Sequence, residues 1–383
     1  MDYYLTMNSL PFQVKLNATT GGNSREYSFR STHGINSAET VRPEEVLLLK
    51  GTDLESTSAV LNVDSRIGAV GCVLGDEVSA GRLMMTESRA RQSLVSEFNR
   101  RKNSIENAEV MLTSDLKEDI LRKYDVGTYV PRVSDPDHVV RQKIFEISEV
   151  LRDNSQLYIA SDKNTISKFQ GFLEQFGNVQ ERVQGDYRLL EVDDPGSPRD
   201  DGFLQTKMIS HSMKGVEAEF KVIEGFFSAR QMNAVEMLGR EVESDEDNKV
   251  LDLSSGFGGA GIFASLLEDV NPVFVDRNDY MKDLISKNCR KNNVEDYDVY
   301  TEDGAENFDT ASFDLILYRV MPDDDEKVVQ DDLENCRRIL RSGGEVLVCH
   351  ERDSKVPSYL KKIFDDVEVK RREVNYQVSA CVK

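Results

Sequence analysis

Asp252, Ser254, Gly256, Gly258, Gly261, Asp276 and Asp303 have the types and spacing to hold a nucleotide-like cofactor. The first five lie in Val250-Leu251-Asp252-Leu253-Ser254-Ser255-Gly256-Phe257-Gly258-Gly259-Ala260-Gly261, where apolar residues lead into an acid, a glycine-rich turn and then a helix. Glycine lets the backbone approach a ligand closely, and the start of the helix aims N–H groups at its polar atoms. Asp276 stands 24 positions beyond Asp252, at the end of the next strand pattern. A carboxylate there accepts from both ribose hydroxyls. Asp303 follows a third strand pattern, placed to accept from an adenine amino group. Ligands of open α/β sheets bind at the carboxyl ends of the strands, and all three acids fall at such ends. Gly256 to Gly261 also contains GxGxxG, so a dinucleotide site is the competing reading; the acid inside the first strand speaks against it, because dinucleotide folds usually carry an apolar residue there.

The elements that must position these residues alternate. Strands are expected at Val250–Leu253, Pro272–Val275, Tyr297–Tyr300, Phe313–Tyr318 and Glu345–Cys349, the last entered through Arg341-Ser342-Gly343-Gly344. Helical stretches such as Tyr280–Asn292 and Lys327–Leu340 lie between them. This alternation predicts a mostly parallel sheet covered on both faces. Val367–Arg371 and Tyr376–Val382 close the chain with no crossover helix between them, so they pair antiparallel.

The N-terminal half repeats this plan. Val60-Leu61-Asn62-Val63-Asp64-Ser65-Arg66-Ile67-Gly68-Ala69-Val70-Gly71 has the same framework with most glycines gone. Leu61 and Gly71 match Leu251 and Gly261 at an offset of 190. Gly34 and Ser37 match Gly225 and Ser228 at 191, Arg132 matches Arg319 at 187, and Leu151 matches Leu340 at 189. A unit this long is a duplicated domain, not a solenoid repeat. Each copy opens with a hairpin: Phe12–Leu16 and Tyr27–Phe29 flank the turn Thr20–Asn23, and the second copy has its equivalent around Met208–Ser212 and Glu219–Ile223. Residues 193–202, with two prolines, two glycines and no apolar residue, form the linker. The expected domains are 1–192 and 203–383.

Composition bounds the rest. The chain has 383 residues, 39% hydrophobic, enough for two cores. No apolar run reaches the ~20 residues that span a bilayer, and Met1-Asp2-Tyr3-Tyr4 lacks the order of a secretory signal. Five scattered cysteines fit reduced thiols in a cytoplasm. The four histidines are far apart, so no metal site is expected. The net charge of −21 leaves two readings. Either the protein binds no polyanion, or it works in a high-salt cytoplasm that screens the acidic surface.

With these residues in place, residues 203–383 resemble a class I S-adenosylmethionine-dependent methyltransferase, a family in which a terminal antiparallel hairpin is typical. The tandem arrangement is similar to the ribosomal small-subunit guanine-N2 methyltransferases, where a degenerate methyltransferase-like domain precedes an active one. Phe220-Lys221-Val222-Ile223-Glu224-Gly225-Phe226-Phe227-Ser228 resembles that family's strand and Val-Phe-Ser stretch. The resemblance implies two tandem Rossmann-like domains, each a mostly parallel seven-stranded sheet with a C-terminal antiparallel hairpin, the N-terminal one degenerate. It implies S-adenosylmethionine as cofactor, with Asp252, Ser254, Gly256 and Gly258 along its methionine side, Asp276 on the ribose and Asp303 on the adenine. It implies RNA as partner, a guanine of rRNA in a monomeric enzyme.

One departure concerns catalysis. The family carries Asn-Pro-Pro-aromatic after strand four; this chain reads Tyr318-Arg319-Val320-Met321-Pro322. Arg319 and Tyr318 are therefore the catalytic candidates, yet a guanidinium cannot accept from an amine. Arg319 instead suits a phosphate or carboxylate, or, like Arg132, a structural place. Tyr318 either stacks on a base or packs in the core. Asp323-Asp324-Asp325-Glu326 reads as a capped helix start more than as a base cluster. Arg89, Arg91, Arg100, Arg101 and Lys102, and Lys361, Lys362, Lys370, Arg371 and Arg372, are the local basic patches. A non-catalytic cofactor- or RNA-binding scaffold, and a protein or small-molecule methyltransferase, are the alternatives.

Overall fold

The computed structural model describes residues 10–20, 23–35, 39–196, 202–245 and 248–383. Ser37, Met1–Tyr4, Gly21, Gly22 and residues 197–201 of the expected linker lie outside these. The chain separates into two compact units, up to Gln205 and from Thr206. The boundary falls beyond residue 202 because Phe203 packs on Phe145 and Phe172, with ring centroids 5.5 and 5.1 Å apart.

In the first unit, strands β1 (Phe12–Thr20) and β2 (Asn23–Ser31) form a hairpin. The sheet follows with β3 (Ala59–Val63), β4 (Arg82–Glu87), β5 (Ala108–Leu112), β6 (Tyr124–Tyr129), β7 (Leu151–Asp162), β8 (Asn178–Gln184) and β9 (Tyr187–Asp193). The second unit repeats the set: the hairpin β10 (Thr206–Met213) and β11 (Val216–Ile223), then β12 (Lys249–Leu253), β13 (Asn271–Asp276), β14 (Asp298–Thr301), β15 (Phe313–Arg319), β16 (Leu340–Glu351), β17 (Asp366–Arg372) and β18 (Tyr376–Val382). The seven-stranded sheets have orders β5-β4-β3-β6-β7-β9-β8 and β14-β13-β12-β15-β16-β18-β17. Four parallel pairings run outward from the central strand, and the last strands are antiparallel.

Central parallel strands are covered on both faces, which requires apolar side chains in both directions. Val250 and Leu251 are accordingly buried, as are Ile316 and Leu317. Apolar clusters lie on either side of each sheet: one around Leu333, Ile339 and Leu360, the other around Met237, Leu238 and Ala264 in the second unit. The strand β16 opens at Leu340, but its pairing jumps from Leu340 to Glu345, so the Arg341–Gly344 turn bulges out of the ladder.

Each hairpin is bracketed by two asparagines on one helix. In the second unit the Asn288 side chain accepts from Lys221 N at 2.7 Å and donates to Lys221 O and Phe257 O. Asn292, one turn on, accepts from Glu219 N and donates to Glu219 O and Asn288 O. In the first unit Asn99 makes the same bonds to Arg30 and Ile67, and Asn103 to Ser28 and Asn99. A side-chain amide that pairs with both backbone groups of one residue replaces a rung of sheet, and so fixes a hairpin that pairs with no third strand among the described residues.

Candidate cofactor site

Between β12 and the helix Gly259–Glu268, Ser254, Gly256 and Gly258 have φ of 60°, 58° and 85°. Three left-handed residues in five make a tight turn at the end of the strand, in which Ser255 N donates to Val275 O at 3.1 Å and Gly258 N to Ser255 O at 3.0 Å. Ser255 ties this turn to β13: its hydroxyl donates to Asp252 O at 2.6 Å and accepts from Val275 N at 3.0 Å. Asp276 closes it, accepting from Gly256 N and Asn278 N at 2.8 Å each. Gly261 must be glycine for a different reason: a Cβ there would lie 2.4 Å from the Phe274 ring.

Asp252 is buried, and its carboxylate accepts from Gly261 N at 2.8 Å. Burial pushes its carboxyl up to about 7; the Gly261 N–H and the Arg319 charge pull down, and Asp276 pushes up.

Asp303 is reached from Arg277, which the sequence reading missed. Arg277 donates from Nε to Asp303 at 2.8 Å and from a terminal nitrogen to Asp332 at 2.7 Å. Tyr318 donates to the other oxygen of Asp332 at 2.8 Å. This chain of charges links β13, the loop after β14 and the helix Glu326–Ile339. Arg277 held between two carboxylates has its proton affinity raised well above the usual range in spite of burial. The signal was the Asp276-Arg277 pair itself, a cation directly after the acid that ends the strand.

Tyr318 lies in the core at 1% exposure, against the reading that it stacks on a base. Its hydroxyl is satisfied by Asp332, which is the condition for burying a tyrosine. Arg319 lies at the carboxyl end of β15, 6% exposed, and donates to Ser254 O at 2.9 Å. Its guanidinium covers the turn so closely that a Cβ on Gly256 would be 2.7 Å from it. Asp325 caps the helix Glu326–Ile339 by accepting from Lys327 N, and Asp324 accepts from Met321 N, so these two acids shape the helix start. The N-terminal basic patch is tied down: Arg100 and Arg101 pair with Glu97, Arg91 donates to His33 O and Lys102 to Ser28 O.

The first unit carries the same turn with different chemistry. Asp64, Arg66 and Gly68 have φ of 53°, 60° and 76°. Asp64 and Arg66 thus take left-handed backbone at a cost of about 1–2 kcal/mol per residue. Pairing of β3 with β4 puts Glu87 where Asp276 stands, and Arg66 N donates to it as Gly256 N does to Asp276. Glu87 is fully buried, and Arg132 donates to it while also pairing with Asp64 at 3.2 Å. Lys143 donates to the second oxygen of Asp64. The turn is closed by its own side chains.

The ladder also corrects one match. Val63 pairs with Tyr129 and Leu253 with Tyr318, so Val130 stands at the position of Arg319. Arg132 is two residues further and is not its equivalent. A short difference in loop length had produced a plausible arginine match in the sequence.

A central strand leading through a glycine turn to a helix, acids at the ends of three neighbouring strands, and this seven-stranded order define a class I S-adenosylmethionine-dependent methyltransferase fold. The set is of the kind that fits that cofactor: a tight turn with left-handed glycines at 256 and 258, an acid beside it that accepts from backbone N–H groups, and a further acid after the third strand. Residues 217–380, within the second unit, match the family model of the methyltransferase small domain. No curated protein sequence matches the chain. Among solved structures, it is similar to RsmC of T. thermophilus, a 16S rRNA N2 guanine methyltransferase in complex with AdoMet and guanosine. Identity is 18%, the TM-score is 0.74, and 96% of this chain and 98% of that one are covered, so the tandem fold is shared throughout. Precorrin-6y C5,15-methyltransferase of Geobacter metallireducens (12% identity, TM-score 0.36) covers 43% of this chain and 93% of its own. TYW2 of P. horikoshii in complex with MeSAdo (14%, TM-score 0.35) covers 57% and 81%.

Proposed function

We propose that this chain transfers a methyl group from S-adenosylmethionine to a base of RNA, a guanine of ribosomal RNA, using the second unit, while the first unit holds substrate. One observation carries the reading. The two units share a turn, and only the second has Ser254 and Gly256 where the first has Asp64 and Arg66 tied to buried charges, in a two-unit fold shared with the T. thermophilus rRNA enzyme. The first copy, closed by Glu87, Arg132 and Lys143, suits a supporting role. The matching asparagine brackets support an origin by duplication.

The cofactor supplies a methyl group on a positively charged sulfur. The residues then divide the work. Asp276 orients the ribose, and Asp303, held by Arg277, faces the adenine. The turn at Ser254–Gly258 receives the methionine part, and Asp252 contributes charge from beneath. Rate comes from positioning the acceptor against the methyl group. Arg319 is not the acceptor of an amine proton, since a guanidinium has no lone pair to offer. A cytoplasmic location agrees with five single, buried thiols.

The test is methyl transfer from tritium-labelled S-adenosylmethionine to unmethylated small ribosomal subunits at about 0.2 and 2 M salt. Label on guanosine, lost in Asp276→Ala together with cofactor affinity, is the expected result. The net charge of −21 favours a second reading, a protein or small-molecule acceptor. Cofactor binding with no label on RNA at either salt would select it.

A further inference from the structure

The guanidinium over the turn of the second unit has no carboxylate at ion-pair distance among the described residues, whereas the guanidinium at the first unit's turn has one. Arg319 is 6% exposed, its Nε has no hydrogen-bond partner, and among the described residues no carboxylate pairs with it. Among the described residues, Ser254 O alone receives one of its donors. A buried guanidinium so poorly matched is costly unless a ligand completes it.

In the first unit the same space is filled from the other side. Arg66 replaces Gly256, and Val130 replaces Arg319, so one guanidinium is kept while its point of attachment moves from strand to turn. Arg66 reaches across to Pro131 O at 3.4 Å, at the end of β6. There it meets Glu45, whose carboxylate lies 3.8 Å from its Nε and is itself buried. Glu45 is the third residue of the helix Pro43–Gly51 and accepts from the N–H of the capping Arg42 at 2.8 Å. The corresponding helix of the second unit, Ala229–Glu241, has Gln231 at that position, accepting from Ser228 N at 2.8 Å. The acid has become a neutral amide. Both units thus present a guanidinium at the turn, and only the first carries its own carboxylate.

We propose that Arg319 is the carboxylate-binding residue of the cofactor site: it pairs with the α-carboxylate of the methionine part of S-adenosylmethionine, the place that Glu45 fills against Arg66 in the first unit. This rests on the reading of the second unit as the cofactor-binding one. The burial of Arg319 favours a small internal anion over an RNA phosphate, which stays at the surface. A guanidinium forks onto a carboxylate with two parallel bonds, so it fixes the orientation of the methionine arm as well as its charge. Arg319 is then a specificity residue for a cofactor that keeps its carboxylate.

The test is calorimetric titration of the full chain with S-adenosylhomocysteine, its decarboxylated analogue and methylthioadenosine. Wild type should bind the decarboxylated analogue roughly tenfold to a hundredfold more weakly than S-adenosylhomocysteine, the range of a charge-assisted pair. In Arg319→Met the two affinities should fall within about twofold of each other, through loss of S-adenosylhomocysteine binding alone. Arg319→Lys should restore part of the discrimination, which a packing role would not do. Discrimination that survives in Arg319→Met, or equal weakening of all three ligands, overturns the assignment. Wild type that is folded yet binds none of the three overturns the cofactor reading instead, a distinguishable failure.

Discussion

Asp252 has two opposed consequences that follow from one burial. Its carboxyl is pushed up to about 7, so in the folded protein the neutral form is favoured over the range from about 4, where an exposed aspartate ionises, to about 7. The fold then holds a proton that the unfolded chain has released, and this contribution to stability is lost as pH rises through that window. Binding of a cation runs the other way, because it needs the ionised carboxylate. S-adenosylmethionine affinity should rise by up to about tenfold per pH unit below 7 and level off above it. Titrations at pH 6, 7 and 8 read the slope. Asp252→Asn should flatten the profile; an unchanged slope in that variant would assign it to another group. The residue was legible in the sequence as an acid before glycines. Its protonation was not, because that depends on burial and on the facing Arg319 and Asp276.

At the scale of elements, the turn and the hairpin brackets were unequally visible. The glycines of the second copy stood out in the sequence, and so did the alternation of strands and helices, though not the spatial order of the strands. The closed turn of the first copy did not, because a left-handed Arg66 has no sequence signature and only the fold shows that it copies Gly256. The asparagine brackets were present as Asn99-Arg100-Arg101-Lys102-Asn103 and Asn288-Cys289-Arg290-Lys291-Asn292, a closer match than the arginines 187 apart, yet their role depends on a hairpin distant in sequence. Asn288→Ala removes three hydrogen bonds and leaves both backbone groups of Lys221 without their partner. At about 0.5–1.5 kcal/mol per bond, the second unit should lose about 2–4 kcal/mol. Urea unfolding followed by hydrogen exchange in Thr206–Ile223 measures it. A loss below about 0.5 kcal/mol would mean that the hairpin is held by its apolar face alone.

At the scale of the whole molecule, the two units place their charges differently around matching turns. In the first unit Asp64 is drawn down to about 2, because Arg132 and Lys143 outweigh the burial that raises it, while burial raises Glu87. These charges satisfy one another inside the unit, so removing one is severe. Arg132→Met leaves Asp64 facing Lys143 alone and Glu87 without its cation, and should cost the first unit about 3–5 kcal/mol, the usual penalty for breaking a buried ion pair. The same substitution should leave S-adenosylmethionine affinity within about twofold of wild type, because the glycine turn lies in the other unit. Hydrogen exchange with and without saturating S-adenosylmethionine tests both halves of this division. Peptides covering Leu251–Gly261, Val275–Asn278 and Thr301–Gly304 should gain protection. Those covering Leu61–Gly71 and Thr86–Arg89 should exchange as in the free protein, whether or not Arg132 is present. Protection at the first turn, or a loss of cofactor affinity in Arg132→Met, would mean that the closed copy takes part in binding, and that the two turns share the cofactor's work.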